Sequence, residues 1–332
     1  MDLYLGIDVG SVSTNLVLLD PRGEPYTTPI YLRTQGRPIA VVQEGLSMLA
    51  EQLSSRDRVC GVGTTGSARY LAGVLVGADI IKNEITAHAV AALRVVPDVR
   101  TVLEIGGQDS KIIIIRDGIV VDFAMNTVCA AGTGSFLDQQ AFRLNIPIEK
   151  FGELALQAEN PVRIAGRCTV FAESDMIHKQ QLGHPLPDII AGLCEALVRN
   201  YLNNVGKGKE ILPPVVFQGG VAANKGMRAA FEKALGTEII VPPYFNVMGA
   251  YGAALLARDW ALRKGQPTKF RGFQVAELKF QTRSFECKGC PNNCEVIEIK
   301  EGDHVLARWG DRCGRWSTSN IPTEELIAKS IS

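Results

Sequence analysis

The chain is 332 residues long, room for about two domains with full cores at ~150 residues each. Hydrophobic residues make up 46% and charged residues 21%, ordinary globular values that exclude a disordered chain or a charge-rich coiled coil. Lys and Arg total 35 and balance 35 Asp and Glu, which excludes the basic footprint of a general nucleic-acid binder.

Residues 3–9 and 15–19 are apolar, β-prone runs joined by Gly10-Ser11-Val12-Ser13-Thr14, which predicts a hairpin with a hydroxyl-rich turn. Helical spacing of Val42, Leu46, Leu49 and Leu53 predicts a helix over 39–53, followed by a strand near 58–62. A helix is predicted over 83–93. Residues 101–105, 111–115 and 119–123 then repeat the strand–turn–strand pattern around Gly106-Gly107-Gln108-Asp109-Ser110. Helices follow at 132–144, 173–181 and 187–203, then a strand at 214–217, a Gly219-Gly220 turn and a helix over 222–235. Residues 239–257 carry no charge, yet Pro242-Pro243, Asn246, Gly249 and Gly252 make them a strand, a turn and a small-residue helix over 249–262, not a membrane span. Asp2 and a short apolar run to Ile7 do not read as a signal peptide. The expectation is a cytoplasmic protein with no membrane and no nucleic-acid partner. Eight cysteines there read as metal ligands, redox groups or buried apolar side chains in preference to disulfides.

A carboxylate at a strand end beside a glycine turn suits hydrated Mg²⁺, which needs only one or two carboxylates. Asp8 and Asp109 fit that role. Gln108 joins them as a catalytic candidate, and Gly10, Ser11, Ser13, Thr14, Gly106 and Gly107 face phosphate oxygens through N–H and hydroxyl groups. Gly219, Gly220 and Asn224 open a strand–turn–helix unit where a nucleoside lies against backbone, and Gly132 belongs to the same candidate set. Any one of these turns alone is a plain turn; three in this order read as a nucleotide site, and the resemblance described below implies ATP or ADP as its ligand.

Cys129 precedes Ala130-Ala131-Gly132-Thr133-Gly134, and Cys168 precedes 169–175. Each sits in a small-residue segment before a predicted helix. The bland reading is two buried, apolar thiols. The other is a shared site: two thiolates per chain do not complete a Cys₄ set, whereas a homodimer supplies four around one [4Fe–4S] cluster. Cys60 and Cys194 read as core, and Glu84 with His88, one helical turn apart, as a surface pair or as polar support of a phosphate cleft.

Gly6-Ile-Asp-Val-Gly-Ser11, Ile105-Gly-Gly-Gln-Asp-Ser-Lys111, Cys129-Ala-Ala-Gly-Thr-Gly134 and Gly219-Gly-Val-Ala-Ala-Asn224 together resemble the activators of 2-hydroxyacyl-CoA dehydratases, the BadF/BadG/BcrA/BcrD ATPase family of the actin-like ATPase superfamily. The resemblance spans about residues 3–258, with Asn15 where members often have Lys and Glu104 where many have Asp. It implies an α/β fold of duplicated actin-like (ribonuclease H-like) ATPase lobes around a nucleotide cleft. The lobes are expected at 1–95 and 96–264, the second bearing the cluster helices and its C-terminal helix packing back on the first. It also implies an ATPase coupled to electron transfer: a homodimer that takes one electron from a ferredoxin or flavodoxin and passes it to an acceptor iron–sulfur enzyme, with Cys129 and Cys168 as the bridging [4Fe–4S] ligands. A dehydratase, an aryl-CoA reductase and a double-cubane cluster protein are the acceptor classes. The rivals on the same fold are a sugar or small-molecule kinase and an ATP-switched redox-sensing regulator.

Residues 265–332 are expected as a linker and a Cys-rich tail. Cys287, Cys290 and Cys294 form C-x₂-C-x₃-C, with Cys313 in a later Gly-rich turn. That spacing fits a small ribbon stapled by Zn²⁺, or a second iron–sulfur cluster, docking an electron donor or acceptor.

Overall fold

The structure, a computed structural model, describes residues 1–126, 129–166 and 168–316. The chain separates into two compact units. One takes Met1–Val9, Thr14–Lys82 and the chain from Ala253 onward; the other takes Gly10–Ser13 and Asn83–Gly252.

The first unit is built on a five-stranded sheet of β1 (Asp2–Val9), β2 (Ser13–Leu19), β3 (Ile30–Arg33), β4 (Arg58–Thr65) and β5 (Ile80–Ile81), in the order β3-β2-β1-β4-β5. β1 runs antiparallel to β2 and parallel to β4. Its apolar residues are buried on both faces, as a central strand covered by helices requires. The helices are α1 (Pro38–Ala50), whose Val42, Leu46 and Leu49 pack with Leu16 and Leu18, and α2 (Arg69–Val76), which ends at Gly77 in the left-handed conformation.

The second unit holds α3 (Glu84–Val95), β6 (Thr101–Ile105), β7 (Ser110–Arg116), β8 (Ile119–Asn126), α4 (Gly134–Arg143), α5 (Ile148–Ala155), α6 (Thr169–Gln181), α7 (Leu186–Asn204), β9 (Val215–Gln218), α8 (Lys225–Leu235) and β10 (Ile239–Ile240). Its sheet order is β10-β9-β6-β7-β8, with β6 antiparallel to β7 and parallel to β9. That is the first sheet again, with β6, β7 and β9 in the places of β1, β2 and β4. Phe217, Phe231 and Tyr201 meet edge-on in its core. The duplicated α/β architecture expected from the sequence is present in these two sheets.

α9 (Met248–Lys264) closes the fold. A three-stranded antiparallel sheet of β11 (Phe280–Glu286), β12 (Glu295–Glu301) and β13 (His304–Trp309) follows it. Arg271 pairs with Glu301, and the Gln43 amide donates to the Val275 and Leu278 carbonyls (2.9 and 2.8 Å), tying this segment to α1. Residues 317–332 of the expected tail lie outside the described residues. Among the described residues no helix is long and apolar enough to cross a membrane.

Three elements depart from the predicted ones for local reasons. α6 begins at Thr169, so Cys168 is its N-cap residue. The helices expected over 222–235 and 132–144 each start with a separate 3₁₀ turn, Gly220–Ala223 and Ala130–Gly132, because Asn224 and Thr133 are extended and restart the helix. α2, α5, β3, β5 and β11 were not predicted.

The first turn of α9 lies against α3 so closely that a Cβ at Gly252 would come within 1.8 Å of the Ala87 carbonyl oxygen. Gly252→Ala is expected to cost about 1–3 kcal/mol by overpacking, read as a lower urea midpoint at unchanged m. A variant as stable as the parent would contradict this contact.

Candidate functional site

The two hairpin turns repeat one another residue for residue. Gly10 N–H bonds the Ser13 carbonyl at 2.8 Å, and Gly106 N–H bonds the Asp109 carbonyl at 3.0 Å. In register, Asp8 lies between Asn15 and Thr65, and Glu104 lies between Lys111 and Gln218. Glu104 is therefore the counterpart of Asp8, and Asp109 that of Ser13. In the first row Asn15 Oδ1 and Thr65 Oγ1 are buried without a hydrogen-bond partner among the described residues. Ser11 is exposed at the turn. Thr14 is fully buried and shares its hydroxyl with Thr34 at 2.9 Å, so it braces the hairpin from inside.

In the second row a buried cation replaces the amide. Lys111, 2% exposed, reaches Asp109 at 2.7 Å, Glu84 at 2.8 Å and Glu104 at 3.0 Å. Its own carbonyl accepts from the Tyr201 hydroxyl at 2.6 Å. Burial pulls the Lys111 pKa down; its three carboxyl neighbours outweigh that and hold it well above the ordinary range. Burial pushes the Glu104 carboxyl up to about 8 against the opposing pull of Lys111, so it carries a proton at neutral pH while Lys111 stays charged. His88 is buried on the same α3 that supplies Glu84, pairs with Gln218 at 2.7 Å, and is pushed down to about 3, chiefly by burial. The Glu84–His88 pair is thus part of an interior network and not a surface pair.

Glycine is obligatory at Gly219. Its φ is +90°, and a Cβ there would meet the Ile105 carbonyl at 2.4 Å and Glu104 Oε1 at 2.7 Å. The strand–Gly-Gly unit therefore closes directly onto the end of β6. Asn224 caps α8, its Oδ1 accepting from Met227 N–H at 3.0 Å, while Nδ2 is buried without a partner among the described residues. Gln108 is exposed at the tip of the second turn.

Both cysteine segments belong to this second unit. Asn126 at the end of β8 brackets Cys129, accepting from its N–H at 3.0 Å and donating to its carbonyl at 2.8 Å. Cys129 is half-buried before the 3₁₀ turn that leads into α4; Cys168 is exposed at the start of α6. Ala131, Ala165, Gly166 and Ala172 line one small niche against Asn200 of α7, so the two turns meet there. Gly132 sits in that packing, with Asn200 Oδ1 3.0 Å from where its Cβ would be. Cys194 is buried as expected of a core residue, whereas Cys60 is only half-buried on β4.

In the tail, Cys287 lies opposite Cys294 at the base of the β11–β12 loop, its N–H bonded to the Cys294 carbonyl at 2.8 Å. Trp316 Nε1 donates to Cys287 Sγ at 3.1 Å; with Gly289 N–H and the Arg315 charge it holds that thiol below its usual pKa. Cys290 and Cys313 are exposed. Among the described residues no three His, Cys, Asp or Glu side chains are gathered to hold a metal. β11 makes C-x₂-C-x₃-C the tip of a hairpin, with Cys287 turned inward and Cys290 outward.

Sequence reasoning missed Lys111. The signal was there: a lysine inside Ser110-Lys-Ile-Ile-Ile-Ile115 on a central strand must be buried, and a buried ammonium needs carboxylates. Lys111→Met leaves Glu84 and Asp109 without their cation beside the protonated Glu104 and is expected to cost about 3–5 kcal/mol in chemical unfolding; a near-neutral effect would contradict the network. The Glu104 carboxyl, raised from its usual 4.5 to about 8, keeps in the folded state a proton the unfolded chain has lost. Stability therefore falls as pH rises between these values, by at most about 1.4 kcal/mol per unit. Glu104→Gln should flatten that limb of a Tm–pH profile; an unchanged slope would refute the assignment.

Residues 5–257 match the model of the BadF/BadG/BcrA/BcrD ATPase family. The (R)-2-hydroxyglutaryl-CoA dehydratase activating ATPase of Acidaminococcus fermentans is 37% identical over 266 residues, covering 77% of this chain and 98% of that protein. A benzoyl-CoA reductase subunit of Thauera aromatica is 29% identical over 292 residues, 83% of this chain and 99% of that one. Among solved structures, the activator of the 2-hydroxyisocaproyl-CoA dehydratase from Clostridium difficile with bound ADPNP superimposes with a TM-score of 0.70 at 32% identity, covering 79% of this chain and 97% of that one. With that match over most of its length, the chain belongs to the BadF/BadG/BcrA/BcrD ATPase family.

Proposed function

We propose that this chain is an ATP-dependent one-electron reductase that activates a partner iron–sulfur enzyme, working as a homodimer. The observation that carries the reading is that the unit bearing the Gly106-Gly107 turn also holds Cys129 and Cys168, each immediately before a helical N-terminus. The N-terminus of α6 beside Cys168 favours an anionic group. The relatives are activators of CoA dehydratases, one of them an ATPase by name, and a reductase subunit.

In this reading MgATP is held by the N–H and hydroxyl groups of Gly10, Ser11, Ser13, Gly106 and Gly107, with the nucleoside on Gly219-Gly220. Asp8 and Asp109 arrange the metal and its waters, and Gln108 orients the attacking water. The orphaned Asn15 Oδ1 and Thr65 Oγ1 beside Asp8 fit a hydrated cation, since water in its shell satisfies them. Cys129 and Cys168 of two copies would hold one [4Fe–4S] cluster, which supplies low-potential one-electron chemistry when bound. The apolar Val170 and Phe171, 65% and 64% exposed in the first turn after Cys168, suit burial against a second copy. A ferredoxin or flavodoxin is the donor, an iron–sulfur enzyme of CoA-ester chemistry the acceptor, and the exposed tail a docking element for one of them.

Asp8→Ala and Asp109→Ala are expected to abolish ATP hydrolysis, measured as phosphate release, while leaving the dimer and its iron in place; wild-type turnover by both would sink the nucleotide assignment. Anaerobic preparations should hold about four iron atoms per dimer, lost in Cys129→Ser and in Cys168→Ser. Four iron atoms per monomer, or iron surviving either change, would contradict the shared site.

A further inference from the structure

The N-terminus of α4 is hydrogen-bonded onto the second phosphate-type turn. Gly134 N–H donates to the Gly106 carbonyl at 2.9 Å, Ser135 N–H to the Gly107 carbonyl at 2.8 Å, and the Ser135 hydroxyl to that same Gly107 carbonyl. A helix leaves its first N–H groups without intrahelical partners; here two glycine carbonyls of a loop some thirty residues earlier take them. A Cβ at Gly134 would stand 3.0 Å from the Gly106 oxygen, tighter than side chains usually come, so glycine eases the approach.

In a trans peptide the C=O of one residue and the N–H of the next point to opposite sides. Fixing the Gly106 and Gly107 carbonyls on α4 therefore turns the N–H groups of Gly107 and Gln108 away from α4, as an approaching phosphate requires. In the other direction, α4 is continuous through Thr133 and the 3₁₀ turn with Cys129, whose backbone Asn126 clamps on both sides. Asn126 is in turn paired in register with Ser110, the neighbour of Asp109.

We propose that Ser135 is a positioning residue that locks the phosphate-facing amides of the Gly106-Gly107 turn and makes the conformation at Cys129 depend on whether that turn is occupied. The inference rests on the reading of Gly106-Gly107 as a phosphate site. Ser135 touches neither nucleotide nor metal; it acts through the two glycine carbonyls.

The test uses the full-length protein, prepared without iron, and follows alkylation of Cys129 by iodoacetamide with and without saturating MgADPNP, by mass spectrometry. Calorimetry of MgADPNP binding runs alongside. In the wild type, nucleotide is expected to change the Cys129 rate about five-fold, the worth of one net hydrogen bond. Ser135→Thr keeps the hydroxyl and should retain the response. Ser135→Ala should reduce it to less than half and weaken MgADPNP binding about five-fold. Ser135→Pro, which also deletes the N–H at a first-turn position where proline is accommodated, should abolish it. Circular dichroism melts confirm that each variant is folded. A full response in folded Ser135→Ala and Ser135→Pro overturns the proposal. Failure of the wild type to bind MgADPNP overturns instead the nucleotide reading beneath it.

Discussion

One buried ammonium organises the second unit. Lys111 gathers Glu84 from α3, Glu104 from β6 and Asp109 from the turn between β6 and β7, with its own carbonyl held by Tyr201 of α7. A charge this deep persists only when it is paired. The pairing in turn fixes where α3 sits on the sheet and where the Asp109 carboxylate stands at the turn. His88 and Gln218 extend the same network, and Gly219 closes onto it without room for a Cβ. The polar interior of this unit is thus also the wall of its candidate ligand site.

The duplication clarifies what each half contributes. Both sheets place an acidic residue at the end of the central strand, Asp8 and Glu104, followed by the same four-residue turn. Around Asp8 the flanking groups are neutral, and two of their oxygens have no hydrogen-bond partner among the described residues. Around Glu104 a lysine and a glutamine fill the corresponding places, and burial holds Glu104 protonated at neutral pH. One repeated arrangement has therefore taken two forms: an acidic strand end among neutral groups and an ion cluster that leaves Asp109 at the turn.

Much of this was legible in the chain itself. The hairpins, the central strands and α7 are long apolar runs with turn residues between them, and periodicity locates them. The glycine turns and Cys129 were readable because their spacing has few other uses. What escaped has physical reasons. α2 and α5 are eight residues each and carry an internal glycine, so each offers too few turns for a helical period to stand out. β11 has only Phe280 and Phe285 as apolar residues, five apart with exposed polar residues between them, so no period-2 alternation marks it. The start of α6 at Cys168 was hidden by the β-branched Thr169 and Val170. Asp109 reads as the twin of Asp8 in sequence, and only the strand register shows that Glu104 holds that place. The salt cluster on Lys111 spans three elements, which no local pattern encodes.

The proposed coupling of ATP turnover to delivery of an electron is tested most directly by anaerobic reduction of an iron–sulfur acceptor protein by the reduced protein, followed spectroscopically beside phosphate release in the same cuvette. Acceptor reduction that proceeds with MgATP, stops with MgADPNP or without nucleotide, and keeps a fixed ratio to phosphate released is the predicted result. Reduction at the same rate without nucleotide, or steady hydrolysis with no electron transferred to any such acceptor, would contradict it.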